Sequence, residues 1–417
     1  MRVLMVQALS ESPNSADIEE ALRTMGCEVE AYPDILQMPN FLSEETVNQL
    51  CVYVKEHRTE IIFSIYFVMN AALAAYRSGI RYLSLIWDAP YTDVYNPLSR
   101  VDNVWITTFD KLDRERFVEN GMPHVLYQPL AINKSRVQQW NQEIQETLQG
   151  KYMHEISFVG RLYADNLYQR LLKDIPVQMQ YYFDSIVNEA LFRWNGTNQI
   201  FGKVSEGILD CVRLMNPNFF IPNNQEMSDT RFFEILGLTR EAARLERIAL
   251  LNLLAKEHSV VLYTTDYQAA KENLEGVTIG PPVKYGKATS LVYAGSKINL
   301  SISLKGIEGG TPLRIMDIMG AGGFIMTTYC EETAELFEEN QEIVMFRTPE
   351  ELLEKVDYYL AHDREREQIA RRGQEKVMER YTYEKKMKEL AAWVTEEAQC
   401  GYGGEKEKLR GREDEKG

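Results

Sequence analysis

Nowhere in the 417 residues do about eighteen apolar residues run together, so no segment reads as a membrane-spanning helix. Cysteine is scarce: the five residues Cys27, Cys51, Cys211, Cys330 and Cys400 show neither CxxC nor Cys/His spacing. That pattern argues against a structural zinc site and reads as reduced thiols in a cytoplasmic protein. Positive charge is also short, with 46 Lys and Arg against 62 Asp and Glu, a net charge of −16. A nucleic-acid partner, which needs a basic face, is disfavoured, although local basic pockets remain open. Glycine is missing from the first strand-to-helix turn, Ala8-Leu-Ser-Glu-Ser-Pro-Asn-Ser. A dinucleotide-binding fingerprint is therefore absent, and NAD chemistry loses its main support. No Asp-x-Asp metal motif follows a suitable strand. The apolar start Val3–Leu9 behind Arg2 is interrupted by Ser10-Glu-Ser-Pro without a cleavage pattern, so a first buried strand is expected rather than a signal peptide.

What is present is an alternation of strand and helix signals. Apolar content of 45% and aromatic content of 11% suit a globular chain long enough for two cores. Over residues 1–150 the predicted strands are Val3–Ala8, Glu28–Tyr32, Ile61–Phe67, Arg81–Trp87 and Val104–Thr108, separated by helices that end at Gly26, Gly79 and Gly121. Apolar strands alternating with helices imply an α/β domain whose parallel sheet is covered on both faces. Ligands of such sheets meet the carboxyl ends of strands, here Gln7–Ser12, Tyr66–Asn70, Trp87–Asp93 and Thr107–Phe109. In the third of these loops Asp88 or Asp93 could accept a proton from a hydroxyl, or Asp88 could simply cap a turn.

Glu143–Lys151 reads as a polar connector. A second alternating unit then opens at His154–Val159, followed by Gly160-Arg161. The rhythm breaks over about 175–256, which is helical, rich in aromatics and too long for one crossover; a helical insertion is expected. Strands resume at Val260–Thr264 and Val277–Gly280. The expected domains are thus 1–150 and 151–398, with a disordered tail over 399–417, where apolar residues nearly vanish.

The most organised stretch is Lys297–Cys330, KINLSISLKGIEGGTPLRIMDIMGAGGFIMTTYC. It reads as a strand, a loop with Gly306, Gly309 and Gly310, a helix N-capped by Thr311 with Pro312 in its first position, and a glycine stop. A helix N-terminus behind a small-residue loop is an anion site. Arg314 in its first turn suits a diphosphate, and Asp317 one turn on suits ribose hydroxyls.

LRIMDIMGAGGFIMT, the later TPEELLEKVDYYL and Arg380–Tyr383 resemble the donor-binding segment of group 1 glycosyltransferases of the GT-B fold, in particular the CgeB-like (spore maturation protein) branch. SFVGRL, ending strand His154–Val159, is similar to the start of the C-terminal domain in that group. The resemblance implies two Rossmann-like domains facing a cleft, an acceptor side in 1–150 and a nucleotide-sugar side in 151–398. It implies a metal-independent transferase that uses a nucleotide-diphosphate sugar as donor substrate, with no separate cofactor. Gly160, Arg161, Lys305, Gly309, Gly310, Thr311, Arg314 and Asp317 would hold that donor, Lys305 substituting for a lysine the group carries elsewhere. Asp317 stands where the group has a glutamate, and Glu308 precedes it by nine residues where eight is usual. The acceptor, a glycan, a protein or a small molecule, stays open, as does self-association. Two alternatives share the architecture: a nucleotide-sugar 2-epimerase-like enzyme, and a non-catalytic nucleotide-sugar or glycan-binding module in cell-surface or spore assembly.

Overall fold

The computed structural model describes residues 1–7, 15–32, 41–195 and 198–395. The glycine-free first turn and the tail beyond 398 lie outside the described residues. Among the described residues, twelve strands form two separate six-stranded sheets, every neighbouring pair parallel.

The first sheet holds β1 (Arg2–Gln7), β2 (Glu28–Ala31), β3 (Ile61–Ile65), β4 (Arg81–Ile86), β5 (Val104–Thr108) and β6 (His124–Tyr127), in the order β2-β1-β3-β4-β5-β6. Every residue of β3 and β5 is buried, as continuous apolar runs in a doubly covered sheet should be. One face packs on Val47, Leu50 and Val54 of helix Glu44–His57 and on the alanine-rich helix Met69–Ser78. The other face meets Ile18 and Leu22 of helix Ser15–Thr24, together with Tyr383, Met387 and Leu390. These last three sit on a helix over 383–395, so the end of the chain returns to the first domain. Pairing of Ile132 with Thr382, and bonds from Tyr383 N to Ile132 O (3.0 Å) and from Ile132 N to Tyr381 O (3.0 Å), tie that return down.

The second sheet holds β7 (His154–Val159), β8 (Val260–Tyr263), β9 (Thr278–Gly280), β10 (Ser296–Ser301), β11 (Ile325–Thr328) and β12 (Val344–Phe346). Its order, β12-β11-β10-β7-β8-β9, reverses direction between β7 and β10. In the first sheet the reversal lies between β1 and β3. Crevices at such reversals, beyond the carboxyl ends of the strands, are where open α/β sheets take ligands.

The insertion is present, with a core of its own built from Phe183, Leu209, Phe219 and Phe233. Its end differs from expectation. Helix Thr239–Leu254 places Leu250, Leu251 and Leu254 in the core of the second sheet, so it serves as the crossover into β8. It is entered through a π-helical turn, Glu234–Leu238, in which Thr239 N bonds Glu234 O. The polar connector Glu143–Lys151 is mostly the tail of a longer helix, Lys134–Leu148.

Candidate functional site

The carboxyl ends of the two sheets face one another across a cleft of about 780 Å³. From the first domain come Tyr66 after β3, the loop Trp87–Asp93 after β4, and Phe109 after β5. From the second come Arg161 and Tyr163 after β7, the segment 301–304 after β10, and Pro312–Arg314. Ile235 and Leu236 of the π-helical turn close one side, with Arg240 and Arg247 beyond them on the crossover helix. Tyr66 and Tyr163 hold left-handed backbones, with φ of 64° and 58°. That is a sparsely populated region for a bulky residue, and such positions cluster at functional sites.

Four guanidinium groups line this one space: Arg161, Arg240, Arg247 and Arg314. Arg247 is almost fully buried and spends itself on carbonyls, donating to Arg161 O at 2.5 Å and Ile302 O at 2.6 Å. Its Nε has no partner, and burial pushes its pKa down to about 10. Burial also lowers the pKa of Arg240, with the neighbouring charge of Arg161 adding to the effect. Neither Arg240 nor Arg314 forms an ion pair among the described residues, and Arg161 has only Asp266 at 3.6 Å. Asp88 beside Arg240 and Asp266 beside Arg161 offset only part of the repulsion among these like charges, and a bound polyanion would relieve the rest. Gly160 makes the arrangement possible: a Cβ there would lie 3.0 Å from Arg314 Nη2. Helix Leu313–Gly320 adds its N-terminus to the same wall, starting one residue later than expected and with no side-chain cap.

Asp88 is exposed to the cleft but enclosed by its walls, and this desolvation raises its pKa, opposed by a hydrogen bond with Tyr66 and by the charge of Arg240. Asp93 lies further out, accepting from Gln225 Nε2 of the insertion at 3.2 Å and, more weakly, from Tyr91 and Thr92 at 3.4 Å each. Burial raises its pKa too. Asp317 is not on the cleft wall. It sits behind Tyr285, whose hydroxyl donates to its Oδ1 at 3.1 Å, and burial pushes its pKa up to about 7.

The remaining residues assigned from the sequence are placed elsewhere. Lys305 turns away from the cleft into a buried pair with Glu246 (3.0 Å) and donates to Arg193 O (2.8 Å), so it does not join the four arginines. Gly309 and Gly310 do not open a cradle. They let the loop dock on the first domain, where a Cβ on Gly310 would meet Phe109 at 2.8 Å and one on Gly309 would meet Asp110 Oδ1 and Leu112 N at 3.1 Å. The amides of Glu308 and Gly309 are taken by Asp110 Oδ2, at 3.1 and 3.0 Å. Glu308 itself pairs with Arg116. Thr311 does not cap the helix; its hydroxyl donates to Glu332, which also accepts from Tyr127 of the first domain.

Arg240, Arg247, Tyr66 and Tyr285 were not found by reading the sequence. Arg240 and Arg247 stand seven residues apart in a helix, hence on one face, and that spacing was the available signal. Tyr66 leaves none.

Two parallel sheets with a cleft between their carboxyl edges, joined by a helix that returns to the first domain, match solved structures along nearly their whole length. The fold is GT-B. A glycosyltransferase from Rickettsia africae superposes with a TM-score of 0.56 at 10% identity, covering 94% of this chain and 97% of that one. The Anabaena protein HepE in complex with UDP and glucose gives a TM-score of 0.53 at 11% identity, covering 95% and 100%. The sucrose-phosphate synthase of Thermosynechococcus elongatus gives 0.51 at 10% identity, covering 96% and 100%. Residues 240–392 match a family described as glycosyl transferase-like. That span of the GT-B chain begins at Arg240 and includes Arg247, Tyr285, Arg314 and Asp317. A comparison with curated proteins gave no match. No helix among the described residues is long and apolar enough to cross a membrane.

Proposed function

We propose that this chain is a glycosyltransferase that moves a sugar from a nucleotide-diphosphate sugar to an acceptor hydroxyl. The observation behind this reading is the convergence of Arg161, Arg240, Arg247 and Arg314 on the cleft beside a helix N-terminus, with a carboxylate opposite. The family match over 240–392 and the UDP and glucose in the Anabaena structure agree with it and make UDP-sugars the first donors to try.

In this reading the bond between the anomeric carbon and the β-phosphate oxygen breaks, and its electron pair stays on the diphosphate. The guanidiniums meet the charge that builds there, in a cleft dry enough for them to act strongly. Fixed cations take the role a divalent ion would otherwise fill, so the reaction is metal-independent. The acceptor oxygen forms the new bond to the anomeric carbon and gives its proton to Asp88, whose raised pKa brings it nearer to working pH. Asp93, held against the insertion, would orient the acceptor. Tyr285, held from behind by Asp317, would fix the ribose end of the donor. The CgeB-like resemblance points to a spore or cell-surface component as acceptor, and to modification from the cytoplasmic side, where nucleotide-sugars are made.

The test is the thermal midpoint with a panel of nucleoside diphosphates and nucleotide-sugars, for wild type, Arg240→Ala and Arg314→Ala. A donor at a hundred times its dissociation constant adds about 2.7 kcal/mol, a rise of roughly 5–11 °C for a domain of about 150–250 residues. One nucleotide should give that rise in wild type and little in either variant, with unliganded midpoints reporting that the variants fold. No rise with any nucleotide would overturn the donor site.

A further inference from the structure

A second cavity, of about 560 Å³, lies at the opposite end of the second sheet. Its wall includes Ser296, the first residue of β10, whereas the cleft is reached just past the last residue of that strand. Five residue steps at about 3.3 Å each separate the two along the strand by roughly 16 Å.

The lining of this cavity is polar and locally basic in a strongly acidic chain. Arg366 is only 1% exposed, yet its Nε and Nη2 have no hydrogen-bond partner. Only Nη1 is engaged, with Tyr359 O at 2.7 Å and Asp363 Oδ1 at 2.6 Å. Asn141, on the facing helix Lys134–Leu148, gives its amide hydrogen to Gly320 O but leaves Oδ1 buried and unpartnered. Buried polar atoms without partners are costly, and a native fold keeps few of them. Lys151 and Lys297 also line the space, and neither forms an ion pair among the described residues. The one carboxylate on the wall, Glu367, already accepts from Tyr152 at 3.3 Å. The ring of Tyr152 lies over the Arg366 guanidinium, 5.4 Å from centroid to Cζ, and follows Gln149 and Gly150, both with positive φ.

We propose that this cavity is a second binding site, for a small sugar bearing an oxyanion, either a phosphate or a carboxylate. The oxyanion is held by Arg366, Lys151 and Lys297 once the Tyr152 ring swings aside. A guanidinium with two unengaged nitrogens matches the two oxygens of such a group. The sugar hydroxyls are met by Asn141 and by the glutamines of the same helix, whose amides both donate and accept. Leu148, Phe324 and Met378 also face the space and would meet the apolar faces of the sugar ring. The site does not depend on what the cleft does.

Isothermal titration of the full chain with glucose 6-phosphate, glucuronate and inorganic phosphate tests this. Saturable binding of at least one of the two sugar acids is expected, weakened ten-fold or more by Lys151→Ala with Lys297→Ala and unchanged by Arg161→Ala with Arg314→Ala. Which sugar acid binds more tightly assigns the anion. Lys151 is exposed and Lys297 half-buried at the start of β10, so unliganded thermal midpoints check that the pair folds; Arg366→Lys, which keeps the charge and loses the fork, should weaken binding in the same direction. Absence of binding by both sugar acids overturns the proposal, as does binding lost only in the cleft pair. Inorganic phosphate binding as tightly as glucose 6-phosphate would overturn the sugar component.

Discussion

Replacing Asp110 by alanine should loosen the junction between the domains. Asp110 is fully buried and N-caps helix Lys111–Glu119, its Oδ1 accepting from Leu112 N at 2.9 Å and Asp113 N at 3.1 Å. Its Oδ2 accepts from Glu308 N and Gly309 N of the other domain, and backbone pairing to Gly310 flanks these bonds. Loss of an N-cap costs about 1 kcal/mol. Two further amides then lose their only acceptor in a site that admits no side chain, at about 1–3 kcal/mol each. The expected sum is about 3–5 kcal/mol, since the flanking strand-like bonds let the loop keep part of its place. At roughly 2–4 °C per kcal/mol the midpoint should fall by about 6–20 °C, read by calorimetry at neutral pH. Asp110→Asn keeps one acceptor oxygen and should lose about half as much. A fall under 2 °C for the alanine variant would refute the reasoning, because it would mean that these amides find water as readily as carboxylate.

Stability should fall as pH rises from about 4 to 7. Asp113, Asp317 and Glu332 have pKa values raised to about 7, and Asp17 to about 6, in each case chiefly by burial. The folded chain therefore binds more protons than the unfolded one across that window, and the stabilisation present below it is lost through the folded pKa values. A midpoint at pH 7.5 equal to or above that at pH 5.5 would contradict this, while Asp113→Asn should flatten the slope. Asp88→Asn should lower the transfer rate at least a hundred-fold and leave donor affinity within three-fold of wild type, measured by initial rates and by titration with the donor nucleotide. In wild type the rate should drop on acidification at a pH above the ordinary aspartate range, because desolvation raises the pKa of Asp88, the proposed base.

Both sheets were legible because they rest on periodicity. Strands such as Ile61–Ile65 and Val104–Thr108 are mostly apolar and buried throughout, glycines stop the helices, and the observed boundaries differ from the expected ones by at most two residues. The places of Asp88 and Asp93 were legible as a consequence, since residues just past strand ends must meet at the edge of a parallel sheet; the place of Arg314 followed from the helix start, and Arg161 from the resemblance. What was not legible depends on long-range approach. Arg240 and Arg247 belong to a helix assigned to the insertion, and only the crossover into β8 carries them to the cleft. Lys305 lies beside the expected position, but Glu246, 59 residues earlier in the chain, claims its ammonium in the buried interior. The pull of a buried carboxylate with one cation in reach outweighs a place near an open cleft.

The loop Gly306–Gly310 shows how far a small-residue motif can be read. A phosphate cradle and a close contact between two backbones ask for the same things: no Cβ, amides pointing outward, a helix start nearby. Sequence cannot separate them, because what differs is which group arrives at the amides. Here Asp110 arrives from the first domain, and the clash a Cβ at Gly306 would make with Pro90, at 2.6 Å, puts a second point of the loop against the cleft loop that holds Asp88. The glycines therefore fix the distance between the wall with the arginines and the wall with Asp88. An alanine at Gly306 or Gly310 would prise those walls apart and leave the four arginines themselves in place.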